Sequence, residues 1–117
     1  MNTQKTIAEW RTFVNGCLDF RPDEGVYRIA RDMFTEPELF DLEMELIFEK
    51  NWIYACHESE IPGPNDYITM NAGRQPMIIS RDGDGQLHAL INACAHRGTT
   101  LTRVCKGRQA SFTCPFH

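Results

Sequence analysis

The spacing of apolar residues changes midway along the chain, and this change predicts two kinds of secondary structure. In the first half, apolar residues recur every three or four positions, which is the period of a helix with one buried face. After residue 61 they alternate with polar residues in short runs, as they do in strands that bury one face. The pattern predicts an α+β fold in which N-terminal helices precede an antiparallel β-region.

The first predicted helix covers residues 8–20, and the RPDEG segment at 21–25 ends it. The apolar face of this helix carries Trp10, Phe13, Val14, Cys17 and Leu18. The aromatic residues of the first half are expected to belong to the core rather than to a ring-binding site: Trp10, Phe13, Trp52 and Tyr54.

A second predicted helix begins near Thr35 and continues to about residue 52. The Thr35 hydroxyl and the Glu38 carboxylate have the spacing of a capping box, and Pro37 is tolerated in a first helical turn. Apolar residues then recur along one face, with others beside it: Leu39, Leu42, Leu46 and Ile53, and Phe40, Ile47 and Phe48.

Short runs of strand type follow the EIPGPND segment, which breaks the helical period. They cover residues 67–71, 75–81, 87–92 and 111–113, and an Asp- and Gly-rich turn at 81–86 joins the second to the third as a hairpin. These runs predict two domains: an N-terminal helical segment at 1–60 and an antiparallel β-domain at 61–117.

The composition is that of an ordinary globular protein, with 117 residues, 42% apolar residues and a net charge of −4. This mildly acidic balance gives no basis for a nucleic-acid partner. The N-terminus lacks the pattern of a signal peptide, and no apolar run reaches the roughly 20 residues that cross a bilayer. We therefore expect a cytoplasmic protein with no membrane partner.

The chain has five cysteines, and in a reducing compartment these are expected to be metal ligands or core residues rather than disulfides. Cys17 and Cys56 lie on apolar stretches and are expected to be core residues, and Cys105, which has no histidine partner at motif spacing, is expected to be structural. A packing or hydrogen-bonding role is expected for His57, and a solvated position for His88. The Lys-Gly-Arg segment at 106–108 is expected to be an exposed basic turn.

The other two cysteines lie in a pair of matched stretches, Cys94-Ala-His96-Arg-Gly98 and Cys114-Pro-Phe-His117. Each stretch follows a predicted strand and carries one thiol and one imidazole. Two metal centres suit this set: a tetrahedral Zn²⁺ in a structural Cys₂His₂ module, or a [2Fe–2S] cluster of the Rieske type.

The distribution of the ligands favours the two-iron cluster over zinc. A loop with one ligand of each type can span two metals, so that Cys94 and Cys114 hold one iron while His96 and His117 hold the other. Gly98 permits a tight turn, and Pro115 fixes the backbone between ligands. A C-x-x-C pair on one turn, which is common in zinc sites, is absent from the sequence.

The CAHRG and CPFH stretches resemble the signature of Rieske proteins. The extra loop cysteines of the cytochrome bc type are missing, because Thr99 and Phe116 stand in their places. Residues 24–62 and 73–98 are also similar to the large (α) subunit of aromatic-ring-hydroxylating dioxygenases. Within that family the sequence is most similar to those of the enzymes that act on anthranilate, followed by those that act on benzoate and toluate.

The resemblance implies an oxidoreductase that takes electrons from an NADH-dependent reductase. In that family a Rieske cluster relays the electrons to a mononuclear non-haem Fe(II), where O₂ attacks the ring of an aromatic carboxylate and dihydroxylates it. The resemblance also implies assembly with other α subunits and a small β subunit. The catalytic domain and its iron ligands follow the Rieske domain in the family, so the chain is expected to be the N-terminal piece of such a subunit, inactive by itself.

Two other functions remain open from the residues. One is a stand-alone Rieske-type electron carrier, and the other is the Cys₂His₂ zinc module. The long helical first half argues against a small carrier, which has no need of about 60 residues before its sheet.

A sheet that stops at its second ligand loop is expected to leave an open edge and an incomplete core.

Overall fold

The computed structural model of the chain describes residues 5–117, so residues 1–4 of the predicted N-terminal segment lie outside the described part. The chain divides into two compact units, one ending at Ile47 and the other beginning at Phe48. The domain boundary predicted after residue 60 stays a prediction. No helix in the described part is long and apolar enough to cross a membrane.

The first unit opens with helix α1, Ile7–Gly16. A capping box that was not predicted from the sequence fixes the start of α1. The Thr6 hydroxyl accepts from the Glu9 amide at 3.3 Å, and the Glu9 carboxylate accepts from the Thr6 amide at 2.6 Å. Trp10 is the buried residue of α1, as predicted, and its ring meets the ring of Phe13 edge to face at 5.5 Å.

A β-hairpin follows α1, where the apolar period had predicted a continuing helix. Strand β1, Leu18–Arg21, pairs antiparallel with strand β2, Val26–Ile29. The connection is a 3₁₀ turn closed by Gly25 at φ 67°, a left-handed conformation that glycine adopts without strain. The prediction that residues 8–20 form one helix is therefore wrong at its C-terminal end.

The second helical stretch begins earlier than predicted and is broken into pieces. Helix α2 is Asp32–Thr35, helix α3 is Pro37–Glu43, and a π-helical turn, Met44–Phe48, continues from α3. The predicted capping box at Thr35 and Glu38 is wrong, because Thr35 ends α2 and no side chain caps α3. The Thr35 hydroxyl donates instead to the Arg31 carbonyl at 3.4 Å.

The second unit is built on an antiparallel sheet of four strands in the order β5-β4-β3-β6. The strands are β3 (Asp66–Ala72), β4 (Gln75–Arg81), β5 (Leu87–Ile91) and β6 (Lys106–Arg108). The first three match the predicted strands and their hairpin, and the α+β class with an antiparallel sheet is confirmed. The buried apolar residues of this unit are Ile61, Tyr67, Ile68 and Ile78.

The fourth strand is not the predicted one. Residues 111–113 form no strand, because the pairing of β6 with β3 ends at Arg108, and Phe112 is held instead by ring packing against Tyr67. The basic segment 106–108, predicted as a turn, is β6 itself. The predicted burial of Trp52 and Tyr54 is also wrong, since the segment after the π-helical turn is not helical and leaves both rings exposed.

Candidate metal centre

Two loops next to β6 carry the four predicted ligands. The first ligand loop, residues 92–105, runs from β5 to β6, and the second ligand loop, residues 109–117, leaves β6. β6 pairs with the start of β3 through three residues, with Tyr67 opposite Gly107. The amide of Gln109 donates to the Asn65 carbonyl at 2.9 Å, so the second ligand loop departs from the edge of the same strand pair.

The first ligand loop is closed at its base by Asn92, whose side chain is buried. Its Oδ1 accepts from the amides of Leu101 and Thr102, both at 3.1 Å, and its Nδ2 donates to the Thr102 carbonyl at 2.8 Å. The Asn92 amide donates to the Pro76 carbonyl on β4 at 2.8 Å. The side chain of Asn92 therefore joins the start of the loop to residues 101 and 102, and its backbone amide ties the loop to the sheet.

Within that loop a tight turn displays Cys94 and His96. The Gly98 amide donates to the Cys94 carbonyl at 2.8 Å, and the Cys94 amide donates to the Thr99 carbonyl at 2.7 Å. Gly98 has φ 72°, so the turn uses the left-handed conformation expected of this glycine. These bonds hold the backbone of the first two predicted ligands without using their side chains.

The structure brings all four predicted ligands to one cavity of about 360 Å³. The cavity is lined by Cys94, His96, Cys114 and His117 together with Arg97, Thr99 and Phe116. The two cysteines are half-buried and the two histidines are exposed. The two cysteine residues are therefore less accessible to solvent than the two histidine residues.

The four side chains are paired by type. The rings of His96 and His117 have centroids 5.3 Å apart and are tilted by 49°. The His96 amide, followed by the Cys114 thiol, lowers the pKa of the Cys94 thiol below its usual value. A thiol whose pKa is lowered in this way is more readily available as the thiolate that binds metal.

This pairing fits a two-iron cluster. A Rieske cluster asks for two protein ligands at each iron, two thiolates at one and two imidazoles at the other. The sulfur pair and the imidazole pair at this cavity have that composition, and each pair takes one member from each loop.

The remaining cysteines are free thiols outside the cavity. Cys17 is buried, as predicted for a core residue, and Cys56 is half-buried, where burial, followed by the charge of Glu60, raises the pKa of its thiol. Cys105 is exposed; its carbonyl rather than its thiol is used, accepting from the Thr69 amide at 2.8 Å.

The remaining histidines also lie outside the cavity. His57 Nδ1 accepts from the Ser59 amide at 3.2 Å and caps a short 3₁₀ turn, which agrees with its predicted hydrogen-bonding role. His88, expected to be solvated, is exposed but pairs with Asp82 at 2.7 Å across the β4–β5 hairpin.

The sequence reading missed three residues that shape the site: Asn92, Thr102 and Tyr67. Asn92 had a signal, since it is a polar residue at the end of an apolar strand two positions before a predicted ligand. Tyr67 and Thr102 had none, because they are 35 positions apart and come together only in the folded sheet.

The sequence matches the family described as the Rieske [2Fe-2S] domain over residues 51–117. It is 74% identical to the anthranilate 1,2-dioxygenase large subunit of Acinetobacter baylyi over 115 residues, which cover 98% of this chain and 24% of the relative. It is 53% identical to the toluate 1,2-dioxygenase α subunit of Pseudomonas putida over 105 residues, 90% of this chain and 23% of that one. The chain thus spans about a quarter of the length of these relatives.

Solved structures give the same result. A naphthalene 1,2-dioxygenase from Rhodococcus sp. bound to indole superposes with a TM-score of 0.66 and 34% identity, covering 74% of this chain and 22% of that one. A quaternary ammonium Rieske monooxygenase with bound gamma-butyrobetaine gives 0.67 and 39%, covering 74% and 25%. Since the family match covers more than half of the chain, and the loops hold the thiols and imidazoles that its cluster requires, this protein belongs to the Rieske [2Fe-2S] domain family.

Proposed function

We propose that the second unit holds its [2Fe–2S] cluster on Cys94 and Cys114 at one iron and on His96 and His117 at the other. The observation that carries this assignment is the pairing by type in one cavity, sulfur with sulfur and imidazole with imidazole. Neutral imidazoles in place of two thiolates make a cluster less negative and raise its reduction potential.

When bound, the cluster is a one-electron carrier. The chain would orient that carrier, because the two cysteines of the cavity are half-buried and the two histidines are exposed. An electron donor or acceptor that approaches the cavity therefore meets His96 and His117 first. Arg97 and Phe116 line the same cavity and form part of the surface that such a partner would contact.

We also propose that the chain belongs to the oxygenase large subunit of an aromatic-ring dioxygenase. The support is the similarity over nearly the whole chain to large and α subunits of dioxygenases. In such a protein the remaining length would supply the mononuclear Fe(II) and the substrate pocket. An NADH-dependent reductase would deliver electrons, and further α subunits with a small β subunit would complete an assembly working in the cytoplasm, where thiols stay reduced.

The proposed substrate is an aromatic carboxylate, with anthranilate first and benzoate second. The relative with the 74% match is named for anthranilate, and the one with the 53% match is named for toluate. The basis is whole-chain similarity rather than any pocket on this chain. The same fold also occurs in an oxygenase that binds a quaternary ammonium compound, so this part of the protein does not select the substrate.

Metal analysis tests the cluster assignment. The protein carrying this sequence at its natural length, purified without oxygen, is expected to contain about three irons and about two acid-labile sulfides per chain, because the proposed mononuclear Fe(II) adds one iron to the two of the cluster. Its reduction potential is expected in the range of about −150 to +300 mV, well above the roughly −400 mV of plant-type ferredoxins with four cysteine ligands. Zinc without sulfide would overturn the cluster and support a structural zinc module instead.

Histidine replacement tests the ligands individually. His96→Cys and His117→Cys are each expected to abolish the Rieske-type EPR spectrum or prevent assembly of the cluster. His88→Cys is the matched control, because His88 is also exposed but lies outside the cavity, and it should leave the spectrum unchanged. A wild-type spectrum in either ligand variant would remove that residue from the assignment.

Turnover tests the larger function. With a matching reductase and NADH, the full-length protein is expected to consume O₂ with anthranilate and, at a lower rate, with benzoate. Product analysis should show both oxygen atoms of O₂ delivered to the ring. A protein that contains the cluster and undergoes reversible reduction, yet oxidises no aromatic carboxylate at its natural length, would support a stand-alone electron carrier instead.

A further inference from the structure

Tyr67 on β3 lies between the two ligand loops. Its side chain is 3% exposed, and its hydroxyl is 3.4 Å from the hydroxyl of Thr102, on the first ligand loop. Its ring meets the ring of Phe112, on the second ligand loop, edge to face with centroids 5.0 Å apart and planes at 86°. One buried side chain of the sheet therefore contacts both loops.

Space for the Tyr67 ring is made by a glycine on the neighbouring strand. Gly107 is the register partner of Tyr67, and a Cβ at Gly107 would lie 2.9 Å from the Tyr67 ring and 3.0 Å from its hydroxyl oxygen. Real carbon atoms do not approach that closely, so any side chain at 107 would push the ring away. The ring is thus confined from the strand side as well as from both loops.

Thr102 extends this contact to the base of the first ligand loop. Its hydroxyl faces Tyr67 and also accepts from the Val104 amide at 3.2 Å, while its backbone amide and carbonyl are both bound by the buried side chain of Asn92. A displacement of Tyr67 is therefore passed to the residue that Asn92 uses to close the loop. The connection runs from Phe112 through Tyr67 and Thr102 to Asn92.

Each proposed metal position takes one ligand from each loop. Cys94 is on the first ligand loop and its partner Cys114 is on the second, and the same holds for His96 and His117. A change in the spacing of the two loops therefore changes the ligand geometry at both irons together. The groups that hold first-sphere ligands in place tune metal affinity and redox potential without touching the metal.

We propose that Tyr67 is a positioning residue that sets the spacing of the two ligand loops and thereby the retention and reduction potential of the cluster, an inference that rests on the ligand assignment proposed above. The ring sets the distance to the second ligand loop through Phe112, and the hydroxyl fixes the first ligand loop through Thr102. The two functions of the side chain can be separated by substitution.

Two variants of the natural-length, cluster-loaded protein make this separation. Tyr67→Phe removes the hydroxyl contact and keeps the ring, whereas Tyr67→Leu removes the ring as well. Tyr54→Phe and Tyr54→Leu are the matched controls, since Tyr54 belongs to the same unit but is 76% exposed. Ile78→Val is a second control, because it removes one methyl group from a side chain on β4 that has no exposure and belongs to the core of the sheet.

Two readouts are used, the rate at which cluster absorbance is lost in an iron chelator and the reduction potential with the EPR line shape. Tyr67→Leu is expected to lose the cluster on the order of ten-fold faster than the wild type. Tyr67→Phe is expected to retain the cluster but shift its potential and EPR line positions. The Tyr54 variants and Ile78→Val should match the wild type in potential and line shape.

The inference is overturned if Tyr67→Phe and Tyr67→Leu both keep the wild-type chelation rate, potential and line shape. It is also overturned if Ile78→Val changes these values as much as the Tyr67 variants do, because general loss of stability would then explain them. If Tyr67→Leu does not fold, Tyr67→Phe decides alone. Failure of the ligand assignment would look different, since His96→Cys or His117→Cys would then keep the wild-type EPR spectrum.

Discussion

Two polar side chains, the buried Asn92 and the half-buried Asp66, join chain segments next to the ligand loops in this protein. Asn92 makes three hydrogen bonds across the base of the first ligand loop, and Asp66 accepts from the Gly63 amide and from Arg108, both at 2.7 Å. Such groups matter because their loss leaves backbone donors and acceptors without partners in a site that water reaches poorly. At this scale, the energetic contribution of one residue can be predicted and measured.

Asn92→Ala is expected to lower the free energy of unfolding by about 3 kcal/mol, because it leaves the Leu101 and Thr102 amides and the Thr102 carbonyl without their partner. Urea unfolding followed by circular dichroism measures the change. Asn71→Ala on the exposed side of β3 is the matched control and should change stability by less than about 0.5 kcal/mol. Equal effects in the two variants would show that Asn92 does not clamp the loop.

Asp66→Asn is expected to destabilise the protein in a pH-dependent way. The Arg108 guanidinium, followed by the Gly63 amide, holds the pKa of Asp66 below its ordinary value of 3.8. A carboxyl group whose pKa is lowered on folding adds stability above its unfolded pKa, and that stability is lost as pH falls through the folded pKa. The difference between wild type and variant should therefore be full at neutral pH and vanish in acid.

Unfolding of the metal-free protein between about pH 7 and about pH 2 tests the Asp66 prediction. Asp84→Asn in the β4–β5 turn is the control, because Asp84 is exposed and its side chain is not among the groups that bind Arg108. A difference for Asp66→Asn that stays constant across this range would contradict the charged pair as its cause.

Among the elements, the short strand β6 connects the two ligand loops and also aligns them with the sheet. It pairs with β3 over only three residues, compared with six residue pairs between β3 and β4. Its middle residue, Gly107, lies against the buried ring of Tyr67. A strand this short holds its place through close packing as much as through its ladder of hydrogen bonds.

Gly107→Ala is expected to destabilise the protein by about 2 kcal/mol, because the added methyl overlaps the Tyr67 ring and forces β6 away from β3. Thermal or urea unfolding measures the loss. Gly83→Ala is the control, since a methyl at Gly83 meets no atom within 4 Å and the residue does not have a positive φ. An unchanged free energy of unfolding in Gly107→Ala would show that β6 can shift freely. That result would contradict the role of β6 in aligning the two ligand loops.

The sequence predicted the elements that depend on local patterns. The alternation in β3, β4 and β5 and the Asp- and Gly-rich turn between β4 and β5 are local signals, and the structure has these elements where they were expected. β6 was missed because Lys-Gly-Arg has no strand propensity of its own and is extended only by pairing with β3. The start of α3 was misread because the helical turn begins already at Asp32, so Thr35 is the last residue of α2 rather than the cap of α3.

At the scale of the whole molecule, the cluster is expected to order the ligand loops, whereas the sheet is expected to stay ordered without it. The loops are joined to the sheet at a few positions, such as Asn92 and Gln109, and their tips carry the four ligands. The sheet has its own core around Ile61, Tyr67 and Ile78. Metal binding therefore adds folding free energy mainly where the ligands are.

Removal of the cluster with a chelator is expected to speed hydrogen exchange at amides of the ligand loops, residues 93–105 and 109–117, while amides of β3 and β4 keep most of their protection. Mass-spectrometric exchange of the loaded and metal-free protein measures both regions in one experiment. Reloading with iron and sulfide should restore the slow exchange of the loops. Collapse of protection across β3 and β4 as well would show that the sheet does not persist without the metal.

The sequence by itself determined the α+β class and three of the four strands in the sheet of the second unit. It also determined the set of thiols and imidazoles whose spacing suits a Rieske cluster. Each of these features depends on residues that are close together in the chain. Only the tertiary structure decided that a hairpin follows α1, that β6 joins the sheet, and that Tyr67 contacts both ligand loops. Those features depend on residues far apart in the chain, such as Tyr67 and Thr102, 35 positions apart, whose contact exists only after the sheet has formed.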